Sequence, residues 1–370
     1  MESAQTLFAD LSAHIRSLNA GNFEPLAFRV FAHQYSNNKP YRLFCDGRKK
    51  TPDTVTCWQD IPPAPAAAFK RFALTCADAE LCVPEHGGRT FHSSGTTGSE
   101  TSKHYMDWQA VSLYGESCMT SYWHFVDFPP DQSKLPILPL TPTAFEAPHS
   151  SLSFMVEYLG DTQGEVAARD WNEEWLERAM VRLPLLDKPA VLFGTAFAWV
   201  LILDRLAEHG ETLTLPAGTR VIETGGFKGR SREVERGELY RMFTERLGVP
   251  ATHCLAEYGM SEMASQFYDT TYRDHVLGIA REPRKMGLPH LVRTRVIDPI
   301  TGEESERGQH GVLAHYDIAN LNSCLAIQTE DWGYAHPDGD GFVLLGRAPG
   351  AALRGCSLTA EEFAARQSAR

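Results

Sequence analysis

With 370 residues, 43% of them hydrophobic and 22% charged, the chain can bury one large core or two closely associated ones, and its composition is that of a soluble globular protein. A formal charge of −12 excludes broad nucleic-acid binding, which needs a basic footprint, so any anionic ligand must meet a local cluster of cations. The longest apolar stretch (residues 190–203) is shorter than a membrane span, no secretory apolar region opens the chain, and the eight cysteines include no C-x-x-C pair; these features predict a reduced, cytoplasmic protein without a zinc ribbon.

Residues 1–40 read as helical, with Leu7, Leu11, Ile15 and Leu18 on one face. A Pro/Ala stretch at 61–68 leads into a mixed region, and the segment HSSGTTGSE follows at 92–100. Residues 107–126 are aromatic-rich and predict a helix, and 134–140 predict a short buried strand punctuated by proline. Strand and helix then alternate: strand at 190–194, helix at 197–208, strand at 218–224, charged amphipathic helix at 232–247, strand at 251–255. Such alternation implies a largely parallel sheet covered by helices. From Val292 the pattern turns to β, with VRTRVID, a turn at DPITGE, GVLAHYDI, and a last strand at 341–345. The expected architecture is α/β: a doubly wound core with a smaller β-rich portion near the C-terminal end.

Within HSSGTTGSE, Ser93, Ser94, Gly95, Thr96, Thr97 and Gly98 carry only hydroxyls or no side chain. Backbone N–H groups there can approach a ligand closely and hydroxyls can add donors, which is what a cradle for phosphate oxygens requires. The loop does not fit the G-x-x-x-x-G-K-[ST] frame. A flexible serine–glycine linker is the bland alternative. Four later segments give the loop a context. Tyr258-Gly259-Met260-Ser261-Glu262 offers an aromatic face, a hydroxyl and a carboxylate able to hold Mg²⁺. Glu223–Gly229 places Gly225 and Gly226 after a strand. Thr329-Glu330-Asp331 provides a carboxylate suited to ribose hydroxyls, with a turn residue as the alternative for Asp331 and a core aromatic as the alternative for Tyr258. Gly346-Arg347 supplies a cation after a strand.

In this order the motifs resemble the adenylate-forming superfamily of acyl-CoA synthetases, luciferases and nonribosomal-peptide adenylation domains. The resemblance implies that Ser93, Ser94, Gly95, Thr96, Thr97 and Gly98 hold the β- and γ-phosphates of ATP. It implies that Tyr258 flanks the adenine, Ser261 contacts the α-phosphate or acyl carboxylate, and Glu262 ligates Mg²⁺. Asp331 would bind the ribose, and Arg347 would sit near ribose and phosphate. Two departures stand out. The superfamily's lysine after the loop is replaced by Thr101, leaving Lys103, two residues further on, as a candidate phosphate contact. Only 23 residues follow Arg347 and Lys285 is the last lysine, so the superfamily's large C-terminal domain is expected to be absent.

The end of the chain suggests an acyl acceptor. In Arg354-Gly355-Cys356-Ser357-Leu358 a cysteine follows an arginine by two residues, and a nearby cation favours the nucleophilic thiolate. Nine residues separate Arg347 from Cys356, an extended reach of about 30 Å for a hinged tail. A buried inert cysteine is the alternative. A chain of this size with this core and a near-terminal cysteine resembles the LuxE/PaaK group of acyl-protein synthetases. That resemblance implies a core at 1–345 and a tail at 346–370 carrying Cys356, activation of a carboxylic, long-chain fatty acid as acyl-AMP, and acyl delivery through Cys356 to a partner such as an acyl reductase. Residues 143–155, with His149, Ser150 and Ser151, are expected to line the acyl pocket. Two rivals stand beside this reading: an acyl- or aryl-CoA ligase resembling phenylacetate-CoA ligase, and a degenerate adenylate-binding protein without catalysis.

Overall fold

The computed structural model describes residues 3–17, 20–93, 101–129, 134–160, 173–226 and 231–368, and for 20, 173, 174, 351–358 and 368 the backbone alone. The chain divides into two compact units: residues 1–120, 260–266 and 284–370 form the first, and 121–259 and 267–283 the second.

The first unit opens with helices α1 (Ala4–Ser17), α2 (Phe23–Asn37) and α3 (Lys39–Gly47). Leu7, Leu11 and Ile15 are buried on α1, as expected, and Leu18 lies outside the described residues. Asn38 separates α2 from α3. Its Oδ1 accepts the N–H of Tyr41 at 3.2 Å, and its Nδ2 donates to the Ser323 carbonyl at 3.1 Å. The cap therefore starts α3 and also ties it to a distant loop. Strand β1 (Ala64–Pro65) precedes a 3-10 turn at Ala66–Lys70, and strands β2 (Arg89–His92) and β3 (Lys103–Met106) form an antiparallel hairpin before helix α4 (Trp108–Phe125).

The second unit holds β4 (Ile137–Leu140), α5 (Ser151–Leu159), α6 (Glu173–Arg182), β5 (Val191–Thr195), α7 (Ala196–Glu208), β6 (Arg220–Thr224), α8 (Arg236–Leu247), β7 (Cys254–Tyr258), β8 (Phe267–Asp269) and α9 (Thr271–Val276). Its strands lie in the order β8-β7-β6-β5-β4; β4 to β7 are parallel and β8 is antiparallel to β7. Every residue of β6 is buried, as expected for a parallel strand covered on both faces. Trp199 of α7 packs edge-on to Phe243 of α8 at 5.1 Å, and its indole N–H donates to the Ile222 carbonyl at 3.0 Å. That bond lets a tryptophan be buried without leaving a polar group unpaired.

The chain then returns to the first unit with β9 (Lys285–Met286), β10 (Val292–Ile297), β11 (His310–Asp317), β12 (Ala326–Ala335), β13 (Phe342–Arg347) and helix α10 (Gly350–Ser368). These strands run antiparallel in the order β10-β11-β12-β13-β9, with β1 added parallel to β12. The α/β class and the switch to β after Val292 are as the sequence predicts.

Three boundaries differ from expectation. Helix α8 begins at Arg236 rather than 232: Glu235 accepts the Glu238 N–H as its cap, and Arg232 pairs with Asp204 instead. Residues 251–253 form a 3-10 turn, so the strand begins at Cys254. The last stretch is a helix, α10, and not an extended tail. Among the described residues no helix is long and apolar enough to cross a membrane.

Candidate active site

The hairpin of β2 and β3 pairs His92 with Lys103. Just beyond it, Ser93 N–H donates to the Ser102 carbonyl at 3.1 Å, and Ser102 N–H donates to Ser93 Oγ at 3.0 Å. Ser93 and Ser102 thus close the hairpin mouth. Ser94, Gly95, Thr96, Thr97 and Gly98 lie outside the described residues. Strand alternation puts Ser102 and His104, both buried, on one face of β3 and the exposed Lys103 on the other.

On the buried face stands the turn that follows Tyr258. Ser102 Oγ donates to Glu262 Oε1 at 2.5 Å, and Ser261 Oγ donates to the His92 carbonyl at 3.4 Å. Glu262 is buried, and burial pushes its carboxyl pKa up; the Ser102 hydroxyl, the residue's own N–H and the charges of Arg347 and Lys70 work in the opposite direction. The same turn is held through its main chain. Asn320 Nδ2 donates to the Glu262 carbonyl at 2.9 Å, and His104 Nδ1 lies 2.7 Å from the Ser261 carbonyl. Asp317, fully buried, accepts the N–H groups of Ala264 and Ser265 and the Ser265 hydroxyl at 2.7–2.8 Å.

Asp331 and Arg347 face each other across the β12–β13 ladder. Arg347 Nη1 lies 3.5 Å from Asp331 Oδ1 and 3.6 Å from Glu330 Oε2, with the Arg347 side chain 71% exposed. At that exposure the pair adds little to stability, which leaves the guanidinium free to turn toward a ligand. Asp331 is a strand residue and not a turn. Its N–H donates to Thr329 Oγ1 at 3.0 Å, which fixes its backbone. The first unit therefore gathers Ser102, Ser261 and Glu262, with Arg347 and Lys70 close enough for their charges to act on Glu262. Sequence reasoning missed Lys70, His104 and Asn320. Lys70 ends the 3-10 turn whose preceding residue, Phe69, sets its ring edge-on to His104 at 6.2 Å.

Other expected residues belong to the second unit. Gly225 follows β6 with φ +67°, the left-handed region that favours glycine, while Gly226 has a negative φ and open space around it. Tyr258 ends β7, its ring 5.8 Å from that of Phe267. Ser150, expected at the mouth of an acyl pocket, is the cap of α5 and accepts the Ser153 N–H at 3.1 Å.

Among the described residues no three His, Cys, Asp or Glu side chains gather as a metal cage. One carboxylate is nonetheless what Mg²⁺ takes when its remaining ligands are water and polyphosphate oxygens, so Glu262 fits that ion. Cys356 lies within α10, with its side chain outside the described part. A cavity of about 200 Å³ lined by Ala67, Ala68, Arg71, Phe72, Glu330, Ala360 and Glu361 opens beside that helix. Position 356 is one helical turn before Ala360, about 6 Å of rise. Burial pushes the thiols of Cys82 and Cys254 up to about 12, so neither is a thiolate at neutral pH.

The sequence pattern of the acyl-protein synthetase family LuxE matches residues 22–364. A long-chain-fatty-acid–luciferin-component ligase from Vibrio harveyi is 23% identical over 343 residues, covering 89% of this chain and 85% of that protein. The fold is shared with an open conformation of 2-hydroxyisobutyryl-CoA ligase in complex with 2-HIB-AMP and CoA, at 12% identity and a TM-score of 0.63, over 86% of this chain and 73% of that one. ATP-bound MatB from Rhodopseudomonas palustris gives 16% identity and a TM-score of 0.48 over 70% of this chain, which spans about half of that protein (48%). The chain belongs to the LuxE family of acyl-protein synthetases, and is an enzyme of the ligase class.

Proposed function

We propose that the chain activates a carboxylic acid with ATP to give acyl-AMP, transfers the acyl group to Cys356, and passes it on to a partner protein such as an acyl reductase. The observation that carries this reading is Glu262, a buried carboxylate fixed by Ser102 on the strand leaving the 93–98 loop, with the charges of Arg347 and Lys70 near it. A long-chain fatty acid is the substrate favoured by the Vibrio harveyi ligase's name.

A carboxylate oxygen attacks the α-phosphorus of ATP, a P–O bond forms, and the bond to the bridging oxygen breaks to release pyrophosphate. Side chains do no covalent work in this step; positioning and charge neutralisation supply the acceleration. Ser93, Ser94, Gly95, Thr96, Thr97 and Gly98 cradle the β- and γ-phosphates, and Arg347 and Lys70 face the accumulating negative charge. Lys103 on the opposite strand face is the more distant candidate. Tyr258, with Gly225 and Gly226, serves the adenine side, and Asp331 the ribose. Mg²⁺ on Glu262 would screen the repulsion between carboxylate and triphosphate. The Cys356 thiolate then attacks the acyl carbon, AMP departs with its oxygen, and a thioester remains.

A second reading, coenzyme A as acceptor, is favoured by the anchoring of α10: Phe363 is buried against Phe44, 4.9 Å between ring centres, and Arg48 holds Glu362 at 2.7 Å. One experiment separates the two. Carboxylate-dependent ATP–pyrophosphate exchange is measured over a panel of acids, together with label from the acid retained on denatured protein and released by hydroxylamine. We expect exchange with a fatty acid, and loss of label but not of exchange in Cys356→Ser. Unchanged label, or acyl release only with coenzyme A, overturns the cysteine step; no exchange with any acid overturns the whole reading.

A further inference from the structure

We propose that His104 is a positioning residue for adenylation, holding the Ser261–Glu262 turn against β3 and so setting where the Glu262 carboxylate stands. The inference rests on the reading of Glu262 given above. From the same face of β3, two side chains hold two successive residues of the turn. Ser102 takes the Glu262 carboxylate, and His104 takes the Ser261 carbonyl at 2.7 Å. The other ring nitrogen, Nε2, lies 3.1 Å from Asn320 Oδ1. The orientation of that amide is fixed, because Asn320 Nδ2 donates to both the Glu262 and the Cys324 carbonyls at 2.9 Å; a flipped amide would set oxygen against oxygen twice. The Ser261 carbonyl and Asn320 Oδ1 are both acceptors and burial favours the neutral ring, so His104 has one N–H to give; the shorter contact assigns it to the Ser261 carbonyl, beside the Asn320 bond to the Glu262 carbonyl.

His104 is 1% exposed with the Phe69 ring edge-on to it, so water has little access to the Ser261 carbonyl if the imidazole is removed. The turn itself has a second, separate hold at its far end, where Asp317 accepts from Ala264 and Ser265. Removal of the His104 bond should loosen residues 261–262 while 264–265 stay clamped. That asymmetry separates positioning from general structural support.

The test uses the full chain with His104→Phe, which keeps a ring against Phe69 and removes both polar contacts, and His104→Gln, which restores a donor. Amide hydrogen exchange is followed at 261–265, and pyrophosphate exchange is followed as a function of ATP, acid and Mg²⁺. The expected result for His104→Phe is faster amide exchange at 261–263 with 264–265 unchanged, and a kcat lower by about 10- to 100-fold. The Mg²⁺ needed for half-maximal rate should rise, the KM for the acid should stay, and His104→Gln should recover part of the rate. Unchanged amide exchange at 261–263, or loss of protection at 264–265 together with a fall in every kinetic constant, overturns the proposal. If the wild-type protein supports no exchange with any acid, the functional reading fails, while the amide-exchange pattern still decides the role of His104.

Discussion

His315 lies fully buried in β11, with its Nδ1 2.9 Å from Thr294 Oγ1 and the Phe342 ring 5.5 Å away, and burial pulls its pKa down to about 3. The folded pKa is below the unfolded one, so between these values the unfolded chain binds the extra proton. Stability from keeping His315 neutral is complete above about pH 6.5 and is lost as pH falls, by up to about 1.4 kcal/mol per pH unit. Asp317 works in the opposite sense: burial raises its carboxyl to about 6 despite four accepted hydrogen bonds, so its contribution declines as pH rises from about 4 to 6. Urea unfolding of wild type and His315→Gln from pH 7 to pH 4 should give a shallower loss in the variant; parallel curves would show that His315 does not titrate with folding. At this scale the sequence announced the groups that make a motif, Ser261, Glu262, Asp331 and Arg347. It was silent on His104, Asn320 and Lys70. The first two act on main-chain carbonyls, and the third acts through its charge from a short turn far away in the chain. None of these roles leaves a spacing pattern.

Elements were legible where one periodicity dominated. The helices α1, α4 and α7 and the parallel strands β5 and β6 follow their apolar patterns to within a few residues. Strand β12 escaped because AIQTEDWGYA does not alternate: three consecutive residues, Glu330 to Trp332, are half-buried, and the pairing register shifts at Trp332/Gly333. Helix α10 escaped because it offers little apolar stripe, with glycine at 350 and 355. Its stability comes from docking: Phe363 sits between Phe44 and Phe72, at 4.9 and 5.5 Å, and Gln367 donates to the Pro40 carbonyl at 2.9 Å. Phe363→Ala should therefore cost up to about 3–5 kcal/mol of local docking energy. We expect amide exchange along 350–368 to accelerate while the β10–β13 strands keep their protection. Equal acceleration in those strands would make α10 part of one cooperative unit with them.

At the scale of the whole molecule, both units are assembled from separate stretches of chain, and their cohesion depends on side chains that join those stretches. The second unit unites residues 121–259 with 267–283. Arg220 on β6 is one of the joints. Its Nη1 donates to the Val126 carbonyl at 2.6 Å and to Asp127 Oδ1 at 2.8 Å, and its Nη2 donates to the Tyr272 hydroxyl at 2.7 Å. Arg220 and Asp127 side chains are each 7% exposed. A buried ion pair of this kind is weak evidence for net stability, because desolvation offsets much of the attraction, but removal of one partner leaves an uncompensated buried charge. Asp127→Ala should then destabilise the unit by about 3–5 kcal/mol. The double variant Asp127→Ala/Arg220→Met removes the stranded charge along with its partner and should recover most of that loss. Urea unfolding gives the magnitudes, and amide exchange should assign the loss in Asp127→Ala to 121–259 and 267–283. A double variant as unstable as Asp127→Ala would show that relief of the stranded charge is offset by loss of the Arg220 bonds to Tyr272 and Val126, or that the charge was never stranded, and would overturn the expected recovery.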